Sequence, residues 1–315
     1  MLPPMYRFVP ARAPRGAAAP ARPTSEQFPP NLEPATDFVI GQVDTGFVLQ
    51  AGAPHPWLAG HLRFGAEDVD PLDGVTALDT DGGLDVVLPG TDGLLDPADA
   101  HGTFVAGLMV QQAPRAVVLM GGVLDDFRGD DASVAEAITA LAAAGTKVIT
   151  LALSGGPDEQ RRPELLEAAI GQLPADVVVV AAAGNLGTSR EVWPAAFPRV
   201  IAVGAVDASV PVRAGTAPPR AEFSSYGKWV DAYATGVDVL GPYVSFTETD
   251  GDEFTGWARW SGTSFAAAKV AGKIAHVAIT EAISAPDAAE KVLQGPPVEI
   301  AGMSPWTWKP YVTMD

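Results

Sequence analysis

An α/β layered fold with a mostly parallel central sheet is what this sequence predicts, and three observations carry the prediction. Short runs of β-branched residues alternate with alanine-rich stretches of helical length. The runs are apolar throughout instead of alternating, as in strands buried on both faces. With 315 residues, 47% of them hydrophobic, the chain has enough apolar material for a large core between helices and sheet.

The elements follow in order. Residues 1 to 37, rich in Pro and Ala, hold no periodic apolar pattern and read as an extended arm. A domain is expected from 38 to 285. Its strands are predicted in DFVIGQVDTG (37 to 46), AVVLMGGV (116 to 123), KVITLAL (147 to 153), DVVVVAAAGN (176 to 185), RVIAVGAV (199 to 206) and WVDAYATG (229 to 236). Helices are predicted in HGTFVAGLM (from 101), SVAEAITALAAAG (133 to 145), PELLEAAIGQL (163 to 173) and SGTSFAAAKVAGKIAHVAI (261 to 279), the last with Val270, Ile274 and Val277 on its apolar side. Residues 286 to 315 form a C-terminal extension whose Trp306 and Trp308 are expected to dock on the domain. There is no internal repeat.

Composition excludes several functions. A net charge of −18 repels phosphate backbones and argues against a nucleic-acid partner. With no cysteine, a disulfide framework, a thiolate nucleophile and a Cys-ligated zinc are all ruled out. Prolines and arginines interrupt the N-terminal 30 residues too often for a secretory signal, and no segment reads as a membrane span. A soluble, cytoplasmic protein is the expectation.

In open α/β sheets, sites form at the carboxyl ends of strands. Asp44 in VDTG and Asn185 in AAAGN end predicted strands, while His101 and Ser264 start predicted helices. Of the four histidines, at 55, 61, 101 and 276, only His101 sits on a small-residue turn. A helix N-terminus also favours developing negative charge beside Ser264. An aspartate, a histidine and a serine on tight turns are the parts of a nucleophilic hydroxyl site. Each alone has a plainer reading: Asp44 satisfying loop amides, His101 a helix-start residue, Ser264 an N-cap, Asn185 a left-handed turn residue.

Taken together, VDTG, HGTFVAGL, VITLALSGG, AAAGN, WPAAFPRVIAVGAV, FSSYGKWVDAYATG and SGTSFAAAKVAG arrive in the order found in the subtilisin-like serine peptidases, which residues 38 to 280 resemble. The resemblance implies a subtilisin-like three-layer sandwich and a serine endopeptidase working through an acyl-enzyme. Ser264 would be the nucleophile, His101 the general base and acid, Asp44 the carboxylate orienting the imidazole, and Asn185 a donor to the oxyanion. Substrate binding would fall to Leu153, Ser154, Gly155, Ala182, Ala183 and Gly184, with Val192 or Glu191 at the floor of the P1 pocket. A valine or glutamate where many relatives have glycine narrows that pocket and favours small or medium P1 side chains. Asp126 and Gly129, in VLDDFRGDDASV, would flank the substrate, with Asp125, Asp126, Asp130 and Asp131 drawing basic residues upstream of the cut.

Three positions depart from the family pattern: Phe104 stands for a second histidine, Ala268 for a proline, and Ala152 for a serine of the substrate-binding strand. Ala152 removes a hydroxyl yet leaves the backbone groups that pair with an extended peptide. Ala268 is expected to leave the helix start less rigid.

No cofactor is required by this reading. Between Asp44 and His101 lie 56 residues; from Gly65 to Ala100 they include ten acidic residues and neither Lys nor Arg. Such a stretch is compatible with calcium, but no EF-hand spacing is present, and an acidic surface loop is the simpler reading. The partners expected are a protein or peptide substrate, without nucleic acid or membrane, and the N-terminal arm is expected to occupy the chain's own cleft. Two other functions share these residues: a catalytically silent peptide-binding homologue, and a transpeptidase or macrocyclase in which an amine intercepts the acyl-enzyme.

Overall fold

Val39–Val43 is the strand around which the molecule is organised. In the computed structural model, which describes residues 5–7, 13–16, 38–50, 52–64, 84–85, 93–95, 100–121, 128–155, 162–299 and 309–314, it lies inside a seven-stranded sheet. The order across the sheet is Ala232–Thr235, Val200–Val206, Val178–Ala182, Val148–Leu151, Val39–Val43, Val117–Met120 and Leu62–Phe64, and every pairing is parallel. From Val39–Val43 the chain goes first to the edge strand Leu62–Phe64, returns to place Val117–Met120 between the two, and then crosses to the other side. The carboxyl end of this strand is therefore a topological switch point, the place where such sheets open a crevice.

Among the described residues five α-helices complete the layers: α1 (His101–Gln112), α2 (Asp131–Ala143), α3 (Glu164–Gln172), α4 (Thr263–Glu281) and α5 (Ala285–Val292). Side chains alternate across each strand, so the sheet feeds two cores. Val178, Val180 and Ala182 pack with α1 and α4, whereas Val179 and Ala181 pack with α2 and α3. Burial on both faces explains the unbroken apolar runs, and the expected three-layer sandwich is what forms. α1 and α4 meet at Gly272, where a Cβ would lie 2.6 Å from the carbonyl oxygen of Met109. The two helices touch there through backbone.

An antiparallel pair, Val239–Thr247 with Glu253–Trp260, stands outside the main sheet. Arg15–Gly16 of the N-terminal arm adds a third strand to it against Ala258 and Arg259, while the Arg15 guanidinium pairs with Asp238 at 2.5 Å. Met5–Arg7, earlier in the arm, forms the middle strand of another sheet. It runs antiparallel to Arg128–Asp130 on one side and to Ser154–Gly155 on the other. At the opposite end of the chain, α5 packs on α4, and Pro297–Val298 pairs with Lys309–Pro310. The Val312 N–H donates to the Tyr233 carbonyl on the sheet's edge strand. Trp306 and Trp308 lie outside the described residues, as does most of the acidic stretch between 65 and 99. Among the described residues no helix is long and apolar enough to cross a membrane.

Lys269, on α4, carries its ammonium beneath the surface, where it donates to Thr235 Oγ1 at 2.9 Å. Desolvation lowers its pKa to about 8. The unfolded chain holds that proton up to the ordinary lysine range, so between the two values it binds more protons than the folded one, and stability rises with pH there. Below about pH 8 both states are charged and the burial cost is fully present. Lys269→Met should therefore be more stable than the parent at pH 7 by up to about 3 kcal/mol, the order expected for a shift of this size. The gap should close above pH 10, as followed by urea unfolding at each pH.

Candidate active site

Asp44 immediately follows Val39–Val43, fully buried, and its carboxylate is held from three directions. Oδ1 accepts from the Thr45 N–H at 2.8 Å and contacts His101 Nδ1 at 2.6 Å. Oδ2 accepts from Gln42 Nε2 at 3.0 Å. A short contact between buried groups, with the carboxylate ordered by other donors, fixes which imidazole nitrogen faces Asp44 and leaves Nε2 for the other side.

His101 is the first residue of α1, preceded by Ala100 in the left-handed conformation at φ 59°. The glycine after it has a specific cause: a Cβ at Gly102 would lie 2.1 Å from the Gly46 carbonyl oxygen, so only glycine lets the helix start against the VDTG turn. The Gly102 N–H donates to Thr45 Oγ1. Walls for the imidazole come from Trp260 and Phe265, each with its ring centroid 5.6 Å away. Phe104, fully buried, packs against the same two aromatics at 5.4 and 4.7 Å, so the residue that replaces a second histidine is a core side chain.

Ser264 is the second residue of α4, with Gly262 as the N-cap. Its neighbour Phe265 is one of the rings against His101. Here the Ser264 hydroxyl donates to the Ala152 carbonyl at 3.1 Å. Ala152 just precedes the Ser154–Gly155 strand, so the backbone left by the missing serine hydroxyl is in use. Ala268 is fully buried inside α4, which runs unbroken to Glu281.

Asn185 follows Val178–Ala182 by three residues and reaches the start of α4. Its Oδ1 accepts from both the N–H and the hydroxyl of Thr263, at 2.9 Å each. The Thr263 N–H can only donate, which fixes the amide's orientation and turns Nδ2 away from the helix. The Thr263 Oγ1 in turn accepts from the Gly184 N–H at 3.1 Å, so strand end and helix start share one network.

The expected P1 walls also converge. A Cβ at Gly184 would meet Val192 Cγ1 at 3.3 Å, Ser225 Oγ at 3.5 Å and Ser154 Cβ at 3.7 Å. Val192 is buried and Glu191 exposed, so of the two it is the valine that packs beside Gly184. Leu153, Ala182 and Ala183 are buried beside it. Gly129, Gly155 and Ser154 lie on the two edges that hold Met5–Arg7: Tyr6 pairs with both glycines and Arg7 with Ser154.

Two aspartates of the acidic loop belong to the start of α2. The Asp130 carboxylate caps α2, accepting from the N–H and the hydroxyl of Ser133 at 2.8 Å each, and these bonds lower its pKa. Asp131 is buried in the first turn of that helix. Asp125 and Asp126 lie outside the described residues. Two neighbours of the site were missed by sequence reasoning, Gln42 and Ser225. Among the described residues no cluster of three or more His, Asp or Glu could hold a metal ion.

Comparison with known proteins bears on this arrangement. The model of the Subtilase family matches residues 35–293. The thermophilic serine proteinase of Bacillus sp. (strain AK1) is 35% identical over 229 residues, covering 65% of this chain and 51% of that protein. Thermitase of Thermoactinomyces vulgaris is 32% identical over 244 residues, covering 74% of this chain and 72% of thermitase. The chain thus spans about half the length of the first relative. Among solved structures, that of the patellamide maturation protease PatA superposes with a TM-score of 0.61 at 25% identity, covering 88% of this chain and 94% of that one.

Proposed function

This chain belongs to the subtilase family, and we propose that it is a serine endopeptidase whose triad is Asp44, His101 and Ser264. The observation that carries the reading is the buried 2.6 Å contact of Asp44 with His101 beside the N-terminus of α4, where Ser264 sits. A peptide lying along Ser154–Gly155 competes for the Ala152 carbonyl and releases the Ser264 hydroxyl to turn toward His101 Nε2. His101 takes the proton as the oxygen attacks the carbonyl carbon, then gives it to the departing amine; Asp44 stabilises the imidazolium between the two steps. Water repeats the sequence on the acyl-enzyme. The oxyanion is met by Asn185 Nδ2 and by the Ser264 N–H at the positive end of the helix.

The substrate is a protein or peptide bound in extended form. Val192 against Gly184 narrows the P1 pocket and favours small or medium side chains there. Similarity to a maturation protease supports a precursor peptide as the native substrate, and the same acyl-enzyme serves an amine acceptor where one is present.

The N-terminal arm is part of the same proposal: it lies in the chain's own cleft. Met5–Arg7 takes the middle-strand place between the two edges expected to hold substrate, and Arg15–Gly16 is anchored on Glu253–Trp260. An arm tethered to its target competes at a high effective concentration. Deleting residues 1 to 30 should raise the rate of peptide hydrolysis by about tenfold or more, and a peptide of residues 1 to 16 should inhibit the truncated protein. The truncated protein should also cleave Ala- or Leu-P1 peptides faster than Phe-P1 peptides. An unchanged rate after deletion sinks the arm's role, and equal turnover of the Phe-P1 peptide sinks the pocket assignment.

A further inference from the structure

Gln42 lies two residues before Asp44 on the same strand, so both face the same side. It is fully buried. Its Nε2 donates to two acceptors, Asp44 Oδ2 at 3.0 Å and the Gly102 carbonyl at 2.9 Å. The reversed amide would set Oε1 against those same two acceptors, so the orientation is fixed by chemistry. Oε1 pays for this arrangement, being buried without a hydrogen-bond partner among the described residues. A valine or leucine, which the other strands of the sheet carry, would spare the orphaned Oε1 but take the donor from Asp44 Oδ2 and the Gly102 carbonyl, so the glutamine is held here by what it does for the carboxylate.

What the amide does is specific to the triad. Asp44 Oδ1 is shared between the Thr45 N–H and His101 Nδ1, and a carboxylate held at one oxygen is free to twist about its own bond. Gln42 holds the second oxygen. Through Gly102 it also joins the carboxylate to the first turn of α1, one residue from His101.

We infer that Gln42 is a positioning residue for the reaction: it fixes the plane of the Asp44 carboxylate and locks it to the start of the histidine's helix, so that Oδ1 stays aimed at Nδ1 while the imidazole gains its proton. This rests on the triad reading above.

The test compares the full-length parent, Gln42→Leu and Gln42→Glu. The measurements are the rate of fluorophosphonate labelling, kcat and KM on one peptide, the melting temperature, and the far-downfield proton NMR signal of His101 Nδ1–H. Labelling at Ser264, of the parent or of the parent lacking residues 1 to 30 where the arm shields the serine, establishes the triad independently of Gln42; a folded protein that labels in neither form removes the triad reading and this inference together. Given a labelled parent, Gln42→Leu should lower kcat and the labelling rate about tenfold, the order lost when a group orienting a reacting residue from one contact away is removed. KM should stay within twofold, the melting temperature should fall by a few degrees as a buried carboxylate oxygen loses a donor, and the downfield proton should shift. Gln42→Glu, which sets a carboxylate against two acceptors, should lose more. The inference is overturned if Gln42→Leu keeps kcat within twofold with an unmoved downfield proton, or if its activity falls only in proportion to its folded fraction. Should Gln42→Leu misfold, Gln42→Met, of similar length and without a donor, takes its place under the same criteria.

Discussion

Ser264→Ala is expected to fold normally and to lose hydrolysis by about 10⁶-fold, the order seen when a subtilisin loses its serine. The substitution removes one oxygen from a buried position whose hydroxyl donates to the Ala152 carbonyl and whose backbone, not its side chain, belongs to α4. Gly262 is the residue before the helix and stays in place. The stability change should be about 1 kcal/mol or less, that of one neutral hydrogen bond. What disappears is the only atom that can form the acyl-enzyme. His101, Asp44 and the oxyanion donors remain, so water attack keeps a residual advantage of roughly 10³–10⁴ over solution. Intact-mass labelling with a fluorophosphonate reads this directly: one adduct on the parent, mapped to Ser264, and none on the variant at an equal melting temperature. Adduct formation on the variant would place the nucleophile elsewhere.

Asn185→Ala should cost about 10²–10³ in kcat with KM little changed, since its amide acts on charge that exists only in the transition state. The alanine variant carries a second effect, because Asn185 Oδ1 also holds the Thr263 N–H and hydroxyl at the start of α4. Losing that acceptor should lower stability by about 1 kcal/mol. Asn185→Asp separates the two roles. It keeps an acceptor for Thr263, at the positive end of a helix that favours a carboxylate, and replaces the donor by a charge facing the oxyanion. It should melt at or above the parent temperature and still be slower than Asn185→Ala. An aspartate variant within tenfold of the parent would remove Asn185 from the oxyanion site.

Asp44, His101, Asn185 and Ser264 were legible in the sequence because each sits where a strand or helix begins or ends, and small turn residues mark those places. The central strands were legible because burial on both faces leaves uninterrupted β-branched runs. Gln42 was not, since a single amide in such a run reads as an interruption until its acceptor, Gly102, is brought across from 60 residues away. The capping role of Asp130 was not read, although an aspartate three residues before a serine at a helix start is a local capping signal. The hairpin of Val239–Thr247 and Glu253–Trp260 also had a readable signal, the period-two burial of EFTGWARW, which the search for parallel strands passed over. Nothing local marks Met5–Arg7 as a strand, because both of its partners lie more than 100 residues downstream.

The crossing of α1 over α4 at Gly272 bears on how this site tolerates change. The histidine and the serine stand at the starts of two helices whose main chains meet at Gly272, where only glycine leaves room for the Met109 carbonyl and the Gln112 Cβ. Their separation is consequently insensitive to which apolar residues fill the rest of that interface. Lineages can exchange alanines, valines and methionines through the surrounding core while the reacting atoms keep their distance, and selection on the spacing falls on one glycine.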